Sequence, residues 1–333
     1  MKKPKFITVV GTSAGGMNAL IELVSQLKED MDTAIFIVMH LFGTGVSDFL
    51  LHRLQPHTTF ACKLAVDGDP IEKGHIYIAT PHVHLLVKRD AILIERGPEE
   101  NRWRPSIDVL FRSAAVAYNS RCIGIVLTGL LDDGTTGMFA IKKSGGTCIV
   151  QDPNEAEYPD MPLSVLDHMD VDYCVPLGNM GGVLSQILQT NPEDVTVPED
   201  ILIESEIAER VVVDYGNVAR IAEKSIFACP DCGGGLWEMT KAGNDKIIRY
   251  RCHIGHSYSE KDLVVKQGEI FESTLWVALR IMEERRNLLL LMEKDHLKKG
   301  LSVMAKTYTV KAGSIQEHID KMKEVLFASQ RLN

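Results

Sequence analysis

The 333-residue sequence predicts an α/β chain. Its core is a doubly wound, mainly parallel sheet, followed by a small zinc ribbon and an antiparallel helical hairpin. Three observations carry this reading. Residues 1–190 alternate short apolar β-branched runs with helical patterns, which suits a parallel sheet covered on both faces. Three of the seven cysteines then cluster within 24 residues, at Cys229, Cys232 and Cys252. Beyond residue 260 apolar residues recur at three- and four-residue spacing along two long stretches.

In chain order, residues 6–10, 34–39, 75–79, 123–127 and 148–150 read as strands, and 17–27, 47–54, 107–117 and 136–144 as helices between several of them. The apolar runs 85–87 and 91–95 read as a hairpin or meander inserted at one edge of the sheet. Residues 191–224 read as an acidic linker. Between Asn191 and Tyr215 stand eight acids, one base (Arg210) and two prolines, with a short strand expected at 211–213. Residues 225–260 form the ribbon-like module. Residues 261–333 form the hairpin, its first stripe being Phe271, Leu275, Ala278, Met282, Leu289 and Met292. After the break at Lys299-Gly300 the second stripe runs Met304, Tyr308, Ala312, Ile315, Ile319, Met322 and Leu326.

Composition removes several function classes. With a net charge of −9, the chain has no general pull toward nucleic acid or anionic lipid. No apolar run approaches the ~20 residues of a membrane span. The start, Met1-Lys2-Lys3-Pro4-Lys5, leads into a strand-length apolar run, unlike a signal peptide. Seven cysteines without a disulfide rhythm place the chain in a reducing cytoplasm.

Chemistry concentrates at strand ends. Gly11-Thr12-Ser13-Ala14-Gly15-Gly16 follows a strand and opens a helix, where small residues permit a sharp turn and free amides favour negative charge. A dinucleotide fingerprint would need a glycine where Ser13 stands. A nucleophile turn would present Ser13 itself, and a plain helix cap would use its hydroxyl on the backbone. His40 closes the next strand, on the edge where Ser13 would sit. Leu130-Leu131-Asp132-Asp133-Gly134 follows a third strand with two carboxylates. An alcohol, an imidazole and a carboxylate converging on one rim is what a nucleophile, its base and an orienting acid require.

Cys229-Pro230-Asp231-Cys232 is followed after 19 residues by Cys252-His253-Ile254-Gly255-His256, the spacing of a zinc ribbon. The fourth ligand is His256 or His253. His256 is preferred, because adjacent ligands such as Cys252 and His253 rarely both reach one tetrahedral ion. Four protein ligands leave no open position, so the zinc is structural and catalysis needs no cofactor. With five bases and four acids over residues 225–261, the ribbon has little electrostatic support for nucleic acid.

The motifs around residues 11–16, Met39-His40, Arg104-Pro105-Ser106-Ile107-Asp108-Val109-Leu110-Phe111, Leu127-Thr128-Gly129, Asp133-Gly134 and Met161-Pro162 resemble, in order and spacing, the catalytic domain of the chemotaxis protein-glutamate methylesterases (CheB). The likeness covers about residues 5–190. It implies hydrolysis of γ-glutamyl methyl esters on receptor helices, with glutamine deamidation as an accompanying activity. By motif it makes Ser13 the nucleophile, His40 the base and Asp133, rather than Asp132, the orienting acid. Amides at Ala14, Gly15 and Leu130 are then the oxyanion donors.

Ala14 departs from the family's usual Ser or Thr, Leu130-Leu131 from Met-Gly, and Asp160 from the Gly before Met161-Pro162. The Ala14 and Leu130-Leu131 departures motivate an alternative, a weakly catalytic scaffold that binds signalling helices. The family's usual amino-terminal receiver domain is not expected, since the first strand begins near residue 6. The partners expected are methylated receptor helices and, through the carboxyl-terminal helices, a second copy of the chain.

Overall fold

The computed structural model describes residues 2–40, 46–210, 220–239 and 248–329. The chain divides into two units, Met1–Asp262 and Leu263–Asn333.

The first unit is built on a seven-stranded sheet. Its strands are β1 (Phe6–Thr12), β2 (Thr33–Met39), β3 (Ala61–Leu64), β4 (His75–Ile78), β7 (Cys122–Val126), β8 (Thr147–Gln151) and β9 (Tyr173–Val175), in the order β3-β4-β2-β1-β7-β8-β9. Every pairing in it is parallel. Alternate residues of β1 feed two apolar layers, Ile7 and Val9 one, Phe6 and Val10 the other. The first layer is completed by α3 (Ile107–Tyr118) and α4 (Thr135–Lys143), the second by α1 (Gly16–Ser25), α2 (Val46–Leu54) and α6 (Met180–Leu188). Burial on both faces explains strands that are apolar throughout rather than alternating. Because β1 lies between β2 and β7, its carboxyl end is where connections diverge to the two halves of the sheet, the place such folds leave a crevice.

Several boundaries and assignments differ from the sequence reading. The hairpin β5 (His84–Lys88) and β6 (Ala91–Glu95) is a separate two-stranded sheet, not an addition to the edge of the main one. Its buried Leu85, Val87 and Ile92 join the first apolar layer. The short strands β3 and β9 and the helices α5 (Asp160–His168) and α6 were not distinguished from sequence.

The acidic segment is a larger correction. Residues Glu199–Arg210 form a helix, α7, that packs on the core instead of leaving it, with Ile201 inside the first layer. Glu204, one of the acids of the expected linker, is buried between Arg112 and Arg249. The strand expected at 211–213 lies outside the described residues.

After α7 comes a four-stranded antiparallel sheet, β10 (Glu223–Ala228), β11 (Gly235–Glu238), β12 (Arg249–Cys252) and β13 (Ser257–Ser259). It belongs to the same compact unit as the parallel sheet. A buried chain of charges runs Arg251–Glu100–Arg112–Glu204–Arg249 and ties β12 to α3 and α7. Facing guanidinium groups hold both carboxylates below their ordinary range despite burial.

The second unit continues from α8 (Glu260–Lys298), turns at Gly300 (φ 74°) and returns as α9 (Ser302–Ser329). Leu275, Leu279, Met282, Ile315, Ile319, Met322 and Leu326 form the seam. Lys323 on Glu283 (3.0 Å) and Thr309 on Glu293 (2.7 Å) set the antiparallel register. Phe271 and Met304, read as stripe residues, are instead exposed, and the seam takes Leu279 one residue beyond Ala278. A 3.6-residue period drifts against any fixed stripe over a helix this long.

Candidate active site and metal centre

Ser13 directly follows β1, and its amide donates to Thr128 O (3.1 Å) at the end of β7. His40 follows β2, its amide donating to Thr12 O (3.1 Å), so parallel pairing brings the two residues to one rim. Ser13 Oγ is not used as a helix cap. Helix α1 is capped by Gly15, whose φ of 75° suits glycine, and without a side-chain hydrogen bond. Ser13 and His40 line one pocket of about 740 Å³ with Ala14, Gly15, Met39, Trp103, Leu130, Leu131 and Asp160.

Asp133 completes a polar cluster beneath His40. Its Oδ2 accepts from His40 Nε2 (2.8 Å) and from the Ile107 amide (2.7 Å) at the start of α3. Its Oδ1 accepts from Asn101 Nδ2 (2.9 Å), Ser106 Oγ (3.0 Å) and the Asp108 amide (3.2 Å). Burial by itself would raise this carboxyl, but the His40 interaction, the Ile107 amide and Asn101 outweigh it and hold it ionised, below the ordinary range. Among the described residues His40 Nδ1 is buried and has no hydrogen-bond partner.

Two of the supporting side chains were missed from sequence. Trp103 stacks flat on the His40 ring, 3.9 Å between centroids and 6° between planes, and fixes its tilt. Asn101 spends one amide proton on Asp133 and the other on Asp108 Oδ2 (2.7 Å), bridging two buried carboxylates. Burial and the neighbouring Asp133 charge push Asp108 up to about 6. Both residues lie in an irregular loop, where no periodicity marks them; only Trp103, an aromatic among charged residues, offered a signal.

Asp132, the other acid of the pair, faces the ribbon side, where burial, with Asp133 adding to it, raises its carboxyl and Ser259, Lys261 and Asp262 are its neighbours. Leu131 adopts φ 66°, the left-handed region where a side chain costs about 1–2 kcal/mol. Among the described residues the amides of Ala14, Gly15 and Leu130 have no acceptor. The flanking amides of Ser13, Gly16 and Gly129 are taken by Thr128, Ser13 and Tyr158 carbonyls. Ala14, Gly15 and Leu130 line the same pocket as Ser13.

On the ribbon, Cys229, Cys232, Cys252 and His256 place their ligand atoms within 4.8 Å of one another. Cys252 Sγ lies 3.4 Å from His256 Nδ1 and 3.6 Å from Cys232 Sγ; Cys229 Sγ lies 3.7 Å from His256 Nδ1. Tetrahedral zinc with bonds of about 2.0–2.3 Å puts ligand atoms about 3.3–3.8 Å apart, the range of these three separations, and the four residues together could hold a metal ion. Two tight turns shape it, closed by Gly233 N–H on Cys229 O and Gly255 N–H on Cys252 O, with both glycines at positive φ. His253 packs over Gly234 and is not in the cluster.

Comparison with known proteins agrees with this architecture. A Leptospira interrogans relative provisionally named a protein-glutamate methylesterase/protein-glutamine glutaminase is 35% identical over 186 residues, 56% of this chain and 96% of that protein. A protein-glutamate methylesterase/protein-glutamine glutaminase of Rhizobium johnstonii is 35% identical over 180 residues, 53% of this chain; the match spans about half of that longer relative (49%). The crystal structure of the Thermotoga maritima CheB methylesterase catalytic domain superposes with a TM-score of 0.52 at 30% identity, over 55% of this chain and 98% of that one. The model of the CheB methylesterase family matches residues 8–184, more than half of the sequence, and the chain belongs to that family.

Proposed function

We propose that the protein is a serine hydrolase that removes methyl groups from γ-glutamyl methyl esters on receptor-type signalling proteins, and deamidates glutamine by the same acyl transfer. The observation that supports it most is the short His40–Asp133 hydrogen bond at the rim that also carries Ser13. With Nε2–H held by Asp133, neutral His40 offers Nδ1 as base. It takes the Ser13 Oγ proton as the oxygen attacks the ester carbonyl. The amides of Ala14, Gly15 and Leu130 receive the developing oxyanion, a contribution of about 3–4 kcal/mol for a well-aligned donor. Imidazolium returns its proton to the leaving methoxide, releasing methanol. A water deprotonated by His40 then cleaves the acyl-enzyme, giving glutamate and free Ser13. Met39, Trp103, Leu130 and Leu131 give the pocket an apolar wall suited to a neutral ester.

Structural zinc at Cys229, Cys232, Cys252 and His256 belongs to this proposal. Bound there it would cross-link the two ribbon turns, with no open position for chemistry. A thiolate-rich site and free thiols suit a reducing cytoplasm, and no helix among the described residues is long and apolar enough to cross a membrane. The helical hairpin exposes Trp276, Ile281, Leu291, Val303 and Val310, apolar surface that would pair with receptor helices or a second copy. Methanol release from a methylated receptor peptide tests the central reading. Ser13→Ala should abolish release while leaving the thermal transition unchanged. Wild-type turnover in that variant removes the serine mechanism, and no turnover in the zinc-loaded wild type favours the scaffold alternative.

A further inference from the structure

We infer that the metal-binding ribbon is a positioning element of the catalytic site. Its zinc-ligand turn, residues 252–257, would hold the loop that orients His40 and Asp133. The inference rests on the esterase reading for its kinetic arm only. The contacts are specific. The Asn101 amide donates to Ser257 O (2.8 Å), and the Ser257 amide to Glu99 O (3.4 Å). Arg251, beside ligand Cys252, donates to Glu100 Oε1 (2.7 Å). Gly255, inside the ligand turn, lies against Pro98 so closely that a Cβ would sit 3.2 Å from the proline ring.

The held loop carries three groups that shape the site. Asn101 hydrogen-bonds Asp133, Trp103 stacks on His40, and Ser106 hydrogen-bonds Asp133. From its other side the loop is fixed by His84, whose Nε2 donates to Pro98 O (2.8 Å) and whose Nδ1 accepts from the Ser106 amide (3.3 Å). Burial lowers the His84 pKa and keeps the neutral form these two bonds require. The path from the ligand set to the catalytic carboxylate is therefore one residue of ribbon (Ser257) and one residue of loop (Asn101). A closed metal site constrains the backbone between its ligands and the residues next to them. Loss of zinc frees residues 252–257, and the loop loses the partner that sets the height of Asn101 under Asp133. Asn101 is thus a positioning residue, acting through Asp133.

The full chain is prepared zinc-loaded, chelator-stripped, and as Asn101→Ala loaded with zinc. Three quantities are read: zinc per chain, kcat and KM for ester hydrolysis, and the NMR signal of the His40 Nε2 proton bonded to Asp133. Expected are about one zinc per loaded chain and, on stripping, a loss of roughly tenfold or more in kcat with little change in KM. The His40 signal should broaden or move. Asn101→Ala should show the same kcat loss and signal change with zinc retained, and stripping it should add little further.

A chain that takes up no zinc, or a stripped, folded chain with unchanged kcat and His40 signal, overturns the inference. So does an Asn101→Ala variant in which stripping costs the full loss again. Should stripping unfold the chain, the zinc-loaded Asn101→Ala comparison decides. Should the loaded wild type hydrolyse nothing, the esterase reading fails, and the His40 signal still decides this one.

Discussion

Asp133→Asn separates the proposed division of labour from a general requirement for polarity. The carboxylate accepts five hydrogen bonds, two at Oδ2 and three at Oδ1. An amide accepts at one end only. With its NH₂ at the Oδ2 position it confronts the Ile107 N–H; at the Oδ1 position it confronts the Asp108 N–H. Neither backbone donor can become an acceptor, so each placement strands at least one buried group, at about 1–3 kcal/mol. Burial, and after it the Asp133 charge, pushes Asp108 up to about 6, so relief of that repulsion offsets part of this. The net loss should be about 1–2 kcal/mol, or a few degrees in Tm for a domain of this size.

Catalysis should suffer far more. With the NH₂ at Oδ2, His40 Nε2 must become the acceptor, which moves the ring proton to Nδ1, the nitrogen meant to accept from Ser13. A neutral carbonyl oxygen there would leave the imidazolium without its counter-charge. Triads that lose their acid in this way drop about 10⁴-fold in kcat. Steady-state methanol release, with circular dichroism to verify folding, measures both effects. A folded Asp133→Asn variant retaining kcat within about tenfold of wild type would refute the claim that this carboxylate sets the tautomer.

Three further outcomes follow from the packing and charges. Glu204→Ala leaves Arg112 and Arg249 buried without their shared partner and should cost about 3–5 kcal/mol by denaturant unfolding; a loss below about 1 kcal/mol would mean water reaches the pair. Gly129→Ala puts a methyl 2.1 Å from Met161 Sδ and 2.9 Å from Ser13 Cβ, so about 1–3 kcal/mol of stability and most of kcat should go, and an active, stable variant would show that the turn yields freely. Burial first, and then the Asp132 charge, raises Asp262 from its ordinary 3.8 to about 7, so this group binds a proton in the folded state that the unfolded chain has released. Its contribution to stability is therefore full below about pH 4 and is lost as pH rises toward 7. Asp262→Asn should gain on wild type in Tm between pH 4.5 and 7.5, and a difference that stays flat across that range would count against the shift.

How much of this was legible in the sequence follows from how each residue is held. Ser13 and His40 stood out because each directly follows a strand, and Asp133 because it stands in the glycine-bounded loop after a third; strand ends are announced by apolar runs stopping at glycine or polar residues. The cluster of Cys229, Cys232, Cys252 and His256 stood out because its spacing reflects the local geometry of two turns. The acidic run at 199–210 misled, because charge composition does not say which acid will meet a buried arginine. Glu204 is one acid among five in that run, and only its partners on α3 and β12 distinguish it.

Local pattern by itself determined the order of most elements, the parallel α/β class, the rim that Ser13 and His40 share, and the Cys/His cluster on the ribbon. These depend on periodicity and turn chemistry within stretches of a few to a dozen residues. Tertiary structure alone decided that Asn101 and Trp103 would contact Asp133 and His40, that the ribbon would lie against their loop, and that α7 would join the core. Those contacts link positions far apart in the chain, Asn101 with Ser257 and Glu100 with Arg251. Which of many compatible polar groups meet across such distances is set by the packing of whole layers, and no local window contains it.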